Sequence, residues 1–133
     1  MASATSDRFA TSVASNANGN KIVVGAINDE KTGTNGEGLA YVFSSGSSGW
    51  SEEHILSGSL ATTLLDNFGY SVNINSTGEY IVVGAPDDES PANAASSGLA
   101  YVFVSDSGGW SENRFYLERS LLVLTSVLVC LLS

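Results

Sequence analysis

"DNFGYSVNINSTGEYIVVGAPDDE", residues 66–89, is the most informative part of this sequence, because an earlier copy of it precedes it in the chain. That copy, "DRFATSVASNANGNKIVVGAINDE" at residues 7–30, keeps the apolar run Ile-Val-Val-Gly-Ala unchanged. The similarity continues downstream, where "GLAYVF" begins at residues 38 and 98 and "GWSE" begins at residues 49 and 109. Each copy of an internal repeat is one structural unit that packs against its neighbours, so this chain predicts two equivalent units.

The composition favours short strands over helices. The chain of 133 residues contains 14 glycines and only 14 % charged residues, and its aromatic residues lie in segments rich in Val and Ile. Such segments fit a pleated sheet, and we find no apolar stripe with helical spacing before residue 113. The net charge of -9, with five Lys and Arg residues, disfavours a nucleic-acid partner, because positive charge must meet the phosphate backbone.

Each copy predicts four short antiparallel strands. In the second copy the first strand covers residues 68–73 and ends at the turn 75–78, whose Asn and Gly tolerate positive φ. The second strand, 80–85, is apolar at consecutive positions, which indicates burial on both faces. The third strand covers residues 99–104, and a fourth, more polar strand begins at Trp110.

Sheets that are buried on both faces stack on one another, which predicts an all-β fold of two four-stranded antiparallel, blade-like repeats of a β-propeller. A β-sandwich is the alternative, but it gives no reason for two nearly identical halves. We place the repeats within residues 1–112, at about 7–52 and 66–112, with a linker strand and loop at 53–65. A divergent, irregular apolar tail occupies residues 113–133.

Two motifs of the second copy resemble the FG-GAP repeat, the module of integrin α-subunit propellers and of many surface proteins. They are Phe68-Gly69 and Val83-Gly84-Ala85-Pro86, and the "GLAYVF" segment resembles the end of the same repeat. The first copy departs from the pattern, with Ala10 at the place of the motif's glycine and Ile27 at the place of its proline. The resemblance covers about residues 7–112 and implies a partial propeller in an extracellular or cell-surface protein.

Calcium binding is a property that the resemblance implies, and it requires several carboxylates around one cation. The family's calcium loop lies between the first and second strands, where this chain has the turns 15–19 and 74–78 without any carboxylate. We therefore expect the Asn side chains to stabilise these turns instead. The calcium candidates left are Asp87, Asp88 and Glu89, for which a solvated charged loop is the commoner structure. We expect no other cofactor.

The sequence contains no catalytic constellation that we can identify. His54 is the only histidine and lacks the pattern of a Ser-His-Asp set, so we expect a non-enzymatic protein with a polar strand residue at this position. Trp50 and Trp110 recur with the repeat, which favours packing residues over sugar-stacking residues. Asn75 begins an N-glycosylation sequon on a turn that we expect to be exposed.

The two ends of the chain differ from the repeats. Residues 1–14 lack the apolar segment of a signal peptide, and the single cysteine, Cys130, excludes an intrachain disulfide. The apolar tract 119–133 is shorter than the roughly 20 residues of an ordinary membrane span, so we do not expect membrane insertion. We interpret it first as the frameshifted or mis-predicted end of a longer gene; a buried helix or strand and a lipid-anchor signal are the alternatives.

Two repeats are too few for a closed propeller of about four to eight blades, so we expect further blades or self-association. The resemblance implies a non-catalytic protein that binds a protein or glycan ligand, as in adhesion, through loops such as 28–37 and 87–97. The alternatives are an accessory region of a secreted hydrolase or lectin-like enzyme, and a purely structural, self-assembling repeat.

Overall fold

The computed structural model describes residues 7–29, 36–61, 66–88 and 98–116. These residues form two four-stranded antiparallel sheets, each with its strands in chain order, β1-β2-β3-β4 and β5-β6-β7-β8. The strands are β1 Phe9–Ser15, β2 Lys21–Ala26, β3 Leu39–Gly46, β4 Gly49–Leu56, β5 Ser71–Ile74, β6 Tyr80–Ala85, β7 Leu99–Asp106 and β8 Gly109–Tyr116. The prediction of an all-β fold with one four-stranded sheet per repeat is confirmed. We call the sheet β1–β4 blade 1 and the sheet β5–β8 blade 2.

Asn and Gly residues form the tight connections, as the turn pattern predicts. Between β5 and β6, the Oδ1 atom of Asn75 accepts hydrogen bonds from the backbone N–H groups of residues 78, 79 and 80, at 2.9–3.0 Å. Asn16 accepts from the N–H groups of residues 20 and 21 in the same way in blade 1. Gly49 and Gly109 follow the hairpin turns of the two blades with φ near +105° and +110°, a conformation that glycine adopts without steric cost.

A single apolar core lies between the two blades. The face of blade 2 that points toward blade 1 is formed by alternate residues of β6 and β7, which face one another in the antiparallel register: Ile81, Val83, Ala85, Leu99, Tyr101 and Phe103. Opposite them lie Val23, Ala40, Val42 and Leu56 of blade 1. Because one face of each sheet is covered by the other sheet, the stacked arrangement expected for propeller blades is present. The two sheets alone do not close a ring.

Three boundaries differ from the sequence-based prediction. Strand β4 continues to Leu56, four residues into the segment predicted as a linker, and β8 continues to Tyr116, beyond the predicted end of the repeat at residue 112. The prediction that the first strand of the second repeat begins at Phe68 is wrong, because β5 begins at Ser71. Positive φ angles at Asn67 (54°) and Gly69 (90°) turn the chain before the strand.

The described residues end at Tyr116, so the prediction for most of the apolar tail, from residue 117 onward, lies outside them. Within the described ranges, the structure contains no helix of the length and apolarity needed to cross a membrane.

Candidate functional site

The Phe-Gly segment that precedes β5 is inserted into blade 1. The ring of Phe68 is fully buried and packs edge-on against the rings of Tyr101 and Phe103, with centroid separations of 5.2 and 6.1 Å. Its backbone N–H group donates to the carbonyl oxygen of Glu37, at 3.0 Å. A Cβ atom on Gly38 would lie 2.0 Å from the carbonyl oxygen of Phe68, so only glycine permits this approach of the two backbones.

Gly69 makes an equally close approach to blade 1. Its carbonyl oxygen accepts a hydrogen bond from the hydroxyl group of Ser12, at 2.8 Å. A Cβ atom on Gly69 would lie 2.6 Å from the carbonyl oxygen of Leu39, and a Cβ atom on Gly25 would lie 2.0 Å from the carbonyl oxygen of Gly69. We call these contacts of Phe68 and Gly69 with blade 1 the Phe-Gly junction. It explains physically why the motif consists of an aromatic residue followed by glycine.

The sequence matches the FG-GAP repeat family twice, over residues 3–43 and 50–103, which together make up more than two thirds of the chain. The chain belongs to the FG-GAP repeat family. No curated protein matches the sequence. The two FG-GAP matches agree with the two blades, since each ends within the third strand of its sheet. Membership in the family supports a β-propeller-type, integrin-like segment.

A buried Tyr–Asp pair occurs in each FG-GAP repeat. In blade 2 the hydroxyl group of Tyr101 donates to the carboxylate of Asp88, at 2.5 Å, and both side chains are almost completely buried. In blade 1 the hydroxyl group of Tyr41 donates to the carboxylate of Asp29. Burial, followed by the hydrogen bond to the neighbouring carboxylate, raises the pKa of both tyrosines well above the ordinary value. The sequence analysis missed this pair, although Asp and Tyr recur at equivalent positions of both repeats.

The expectation that the three calcium candidates lie together on a solvated loop is wrong for Asp88. Its carboxylate points into the protein toward Tyr101, whereas the exposed carboxylate of Asp87 accepts a hydrogen bond from the side chain of Asn67, at 2.6 Å. Glu89 lies outside the described residues. No group of three or more His, Cys, Asp or Glu side chains suited to a metal ion occurs in the part of the chain that the structure describes.

The expectation that Asn75 lies on an exposed turn is also wrong. Only 3 % of its surface is exposed, because its side chain is the centre of the β5–β6 turn. Its Oδ1 atom holds three backbone N–H groups, and its Nδ2 atom, to which a glycan would be attached, donates to the hydroxyl group of Thr77 at 3.0 Å. A glycan on Nδ2 would therefore require this turn to open.

A polar network connects the two blades near one end of the core. The ammonium group of Lys21 forms an ion pair with Glu53, at 2.6 Å, and lies 5.5 Å from the centre of the Trp110 ring. The indole N–H group of Trp110 also donates to Glu53, at 3.0 Å. Burial alone would raise the pKa of Glu53, but the hydrogen bonds from Lys21 and Trp110 outweigh this effect and lower it.

The two repeated tryptophans do not have the same environment. Trp110 packs against the apolar core between the blades, as the sequence analysis predicts for both. The side chain of Trp50 is 51 % exposed, since no equivalent sheet lies against that face among the described residues. His54 is exposed on β4, which agrees with the expected polar strand residue.

The outer face of blade 2, which points away from blade 1, contains an open groove of about 380 Å³. The groove lies at the end of the sheet where the Phe-Gly segment enters on blade 1. Its lining consists of residues from the ends of β5, β6 and β7: Tyr70, Ser71, Val82, Gly84, Ala85, Pro86, Gly98, Leu99 and Ala100.

Proposed function

We propose that this chain is a non-catalytic FG-GAP propeller segment of a secreted or cell-surface protein, in which rigid blades present loops to a protein or glycan ligand. The observation that carries the proposal is the stacking of two FG-GAP sheets around one continuous core. A scaffold of this kind holds its connecting loops in fixed positions, and binding residues are concentrated on such loops.

The chemical character of the described residues supports a binding role. Carboxylates that would otherwise be candidates for catalysis or metal binding have structural partners, such as Tyr41 for Asp29 and Tyr101 for Asp88. The net charge of -9 disfavours nucleic acid and favours a neutral or basic ligand.

The loops between the second and third strands are the proposed ligand-binding elements. Asp29 and Gly38 lie where the β2–β3 connection leaves and re-enters blade 1, and their backbones are joined by a hydrogen bond of 3.0 Å. Asp88 and Gly98 are joined in the same way in blade 2, at 3.2 Å. Both connections therefore have a fixed base, and they begin at equivalent ends of two stacked sheets.

A binding array tests this function. The fluorescently labelled chain is applied to arrays of glycans and of purified extracellular proteins, together with a variant in which residues 89–97 are replaced by a Gly-Ser segment of equal length. We expect at least one bound component that the loop variant no longer binds. A control variant with alanine at Ser47 and Ser48, in the hairpin turn at the opposite end of blade 1, should bind like the natural chain.

Circular dichroism spectra must show that all three proteins keep the same content of β-structure. Binding that is equally strong in the loop variant, or the lack of any bound component, contradicts the proposal. The proposed location is tested separately by protease treatment of intact producing cells, which should degrade a surface-exposed chain while a cytosolic protein survives.

A further inference from the structure

Blade 2 repeats, on its outer face, the residues that hold the Phe-Gly segment on blade 1. The internal repeat assigns each residue of the junction an equivalent, and every equivalent named here lines the groove on blade 2. The equivalents of Ser12, Gly25, Ala26, Gly38 and Leu39 are, in this order, Ser71, Gly84, Ala85, Gly98 and Leu99.

The groove on blade 2 is open where the junction on blade 1 is filled. Val23 is completely buried beneath blade 2, whereas its equivalent Val82 is only partly buried. A Cβ atom on Gly25 would collide with the carbonyl oxygen of Gly69 at 2.0 Å. A Cβ atom on Gly84 would meet, as its nearest contact, the hydroxyl group of Ser71 on the same blade, at 2.3 Å.

Ser71 is exposed, whereas its equivalent Ser12 is partly buried and donates to the carbonyl oxygen of Gly69. The groove therefore presents a hydroxyl donor, a glycine surface and an apolar floor, in the arrangement that already binds a Phe-Gly segment within this molecule.

We infer that the groove on blade 2 binds the Phe-Gly segment of a further FG-GAP blade from a protein partner. In the bound state, Ser71 donates to the carbonyl oxygen of the partner's glycine, and Gly84 and Gly98 permit close approach of the partner's backbone. The inference extends the expectation of further blades to a defined site. It rests on the Phe-Gly junction and is independent of ligand binding by the loops.

A second copy of this chain is a poorer occupant than a partner with an intact Phe-Gly motif. The only other such segment that this chain offers is Phe9-Ala10, which has alanine in place of glycine. A Cβ atom at the corresponding position in the junction would lie 2.6 Å from the carbonyl oxygen of Leu39. The same collision would occur with Leu99 in the groove, so the site selects glycine after the aromatic residue.

Nuclear magnetic resonance titration of the isotope-labelled full chain tests the inference. The probe is a peptide with the sequence of residues 65–74, LDNFGYSVNI, and its matched control contains alanine at the position of Gly69. We expect saturable shifts of the backbone amide signals of Ser71, Gly84 and Leu99 with the first peptide. The control peptide should produce none, because its additional methyl group collides with the groove.

Variants of the full chain define the site. Ser71→Val should weaken binding of the peptide by about three- to tenfold, the value of one hydrogen bond. Gly84→Ala should abolish binding, whereas Gly46→Ala, which places its methyl group in open space, should leave it unchanged. If Gly84→Ala fails to fold, the Ser71→Val comparison still decides the result.

Three outcomes overturn the inference. The first is the lack of saturable shifts at millimolar peptide, and the second is equal binding of the alanine control peptide. The third is association of the chain with itself, measured by light scattering, that perturbs the same amide signals and is abolished by Phe9→Ala; this would assign the groove to a second copy. Failure of the binding array leaves all of these measurements unaffected.

Discussion

The two residues that flank the motif's phenylalanine have positive φ angles in both repeats, but only the second repeat uses residues suited to them. In blade 2 these are Asn67 at 54° and Gly69 at 90°. In blade 1 they are Arg8 at 50° and Ala10 at 68°, although residues with a Cβ atom other than Asn and Asp rarely adopt this region. The first repeat thus keeps the backbone shape of the motif at a cost in conformational strain.

The substitution Ala10→Gly should therefore stabilise the protein. We expect a gain of about 0.5–1 kcal/mol in the free energy of unfolding, because the strained φ is relieved at an exposed position. The control Ala14→Gly, in the same strand but without positive φ, should destabilise by about the same amount. Urea unfolding followed by circular dichroism measures both, and a loss of stability in Ala10→Gly would contradict the strain.

The buried Tyr–Asp pairs predict a loss of stability at alkaline pH. Burial and the carboxylate neighbours raise the pKa of Tyr41 and Tyr101 in the folded protein above the unfolded value of about 10. Their contribution to stability is therefore fully present below about pH 10 and decreases as the pH rises above it. Urea unfolding between pH 8 and pH 11 should show this decrease, with a smaller slope in the Tyr101→Phe variant.

At neutral pH, Tyr101→Phe should lower the free energy of unfolding by about 1–3 kcal/mol, since the buried carboxylate of Asp88 loses a hydrogen-bond donor. The control Tyr70→Phe removes the hydroxyl group of an exposed ring and should have little effect. Equal effects of the two substitutions would show that the buried pair does not contribute to stability.

Among the strands, the Phe-Gly junction makes equivalent glycines unequal. Gly25→Ala forces a methyl group against the backbone of Gly69 and should destabilise by about 1–3 kcal/mol or more. In Gly84→Ala the methyl group meets the side chain of Ser71, which can rotate away, so the cost should be smaller. Thermal unfolding of the two variants measures the difference, and equal losses would be incompatible with an open groove on blade 2.

The sequence predicts the strands well because their signals are local and occur twice. The turn at Asn75, the buried run in β6 and the hairpin at Gly109 are each specified by a few adjacent residues. The exclusion of Phe68 from β5 could not be predicted in this way, because it depends on contacts with Glu37 and Leu39 of the other blade.

The same limit explains the misplaced candidate sites. A run of acidic residues predicts a solvated loop, but the position of Asp88 is set by Tyr101 on a neighbouring strand. The burial of Asn75 follows from its bonds to the backbone of its own turn, which the glycosylation sequon does not reveal. Recurrence of Asp and Tyr in both repeats was the signal in the sequence that could have indicated the buried pair.

For the two blades together, the structure predicts that calcium has little influence on stability. The turns between the first and second strands are held by Asn16 and Asn75, and the carboxylate of Asp88 is bound to a tyrosine. We expect the melting temperature to be the same in millimolar calcium and in a chelator. A rise in calcium that is lost in Asp87→Asn would instead indicate a cation site at the end of β6.

The stacking of the blades also gives the molecule a direction. Blade 2 covers one side of blade 1 with its aromatic side, so the two sides that face outward are unlike: one carries Phe9 and Val13, and the other carries the groove. Association through these sides is therefore heterologous, joining the front of one unit to the back of the next. Such contacts produce a ring when the rotation closes and a fibre when it does not, and they do not produce a two-fold symmetric dimer. By excluding the Phe9 segment from the groove, the methyl group of Ala10 keeps copies of the chain from adding to one another without limit.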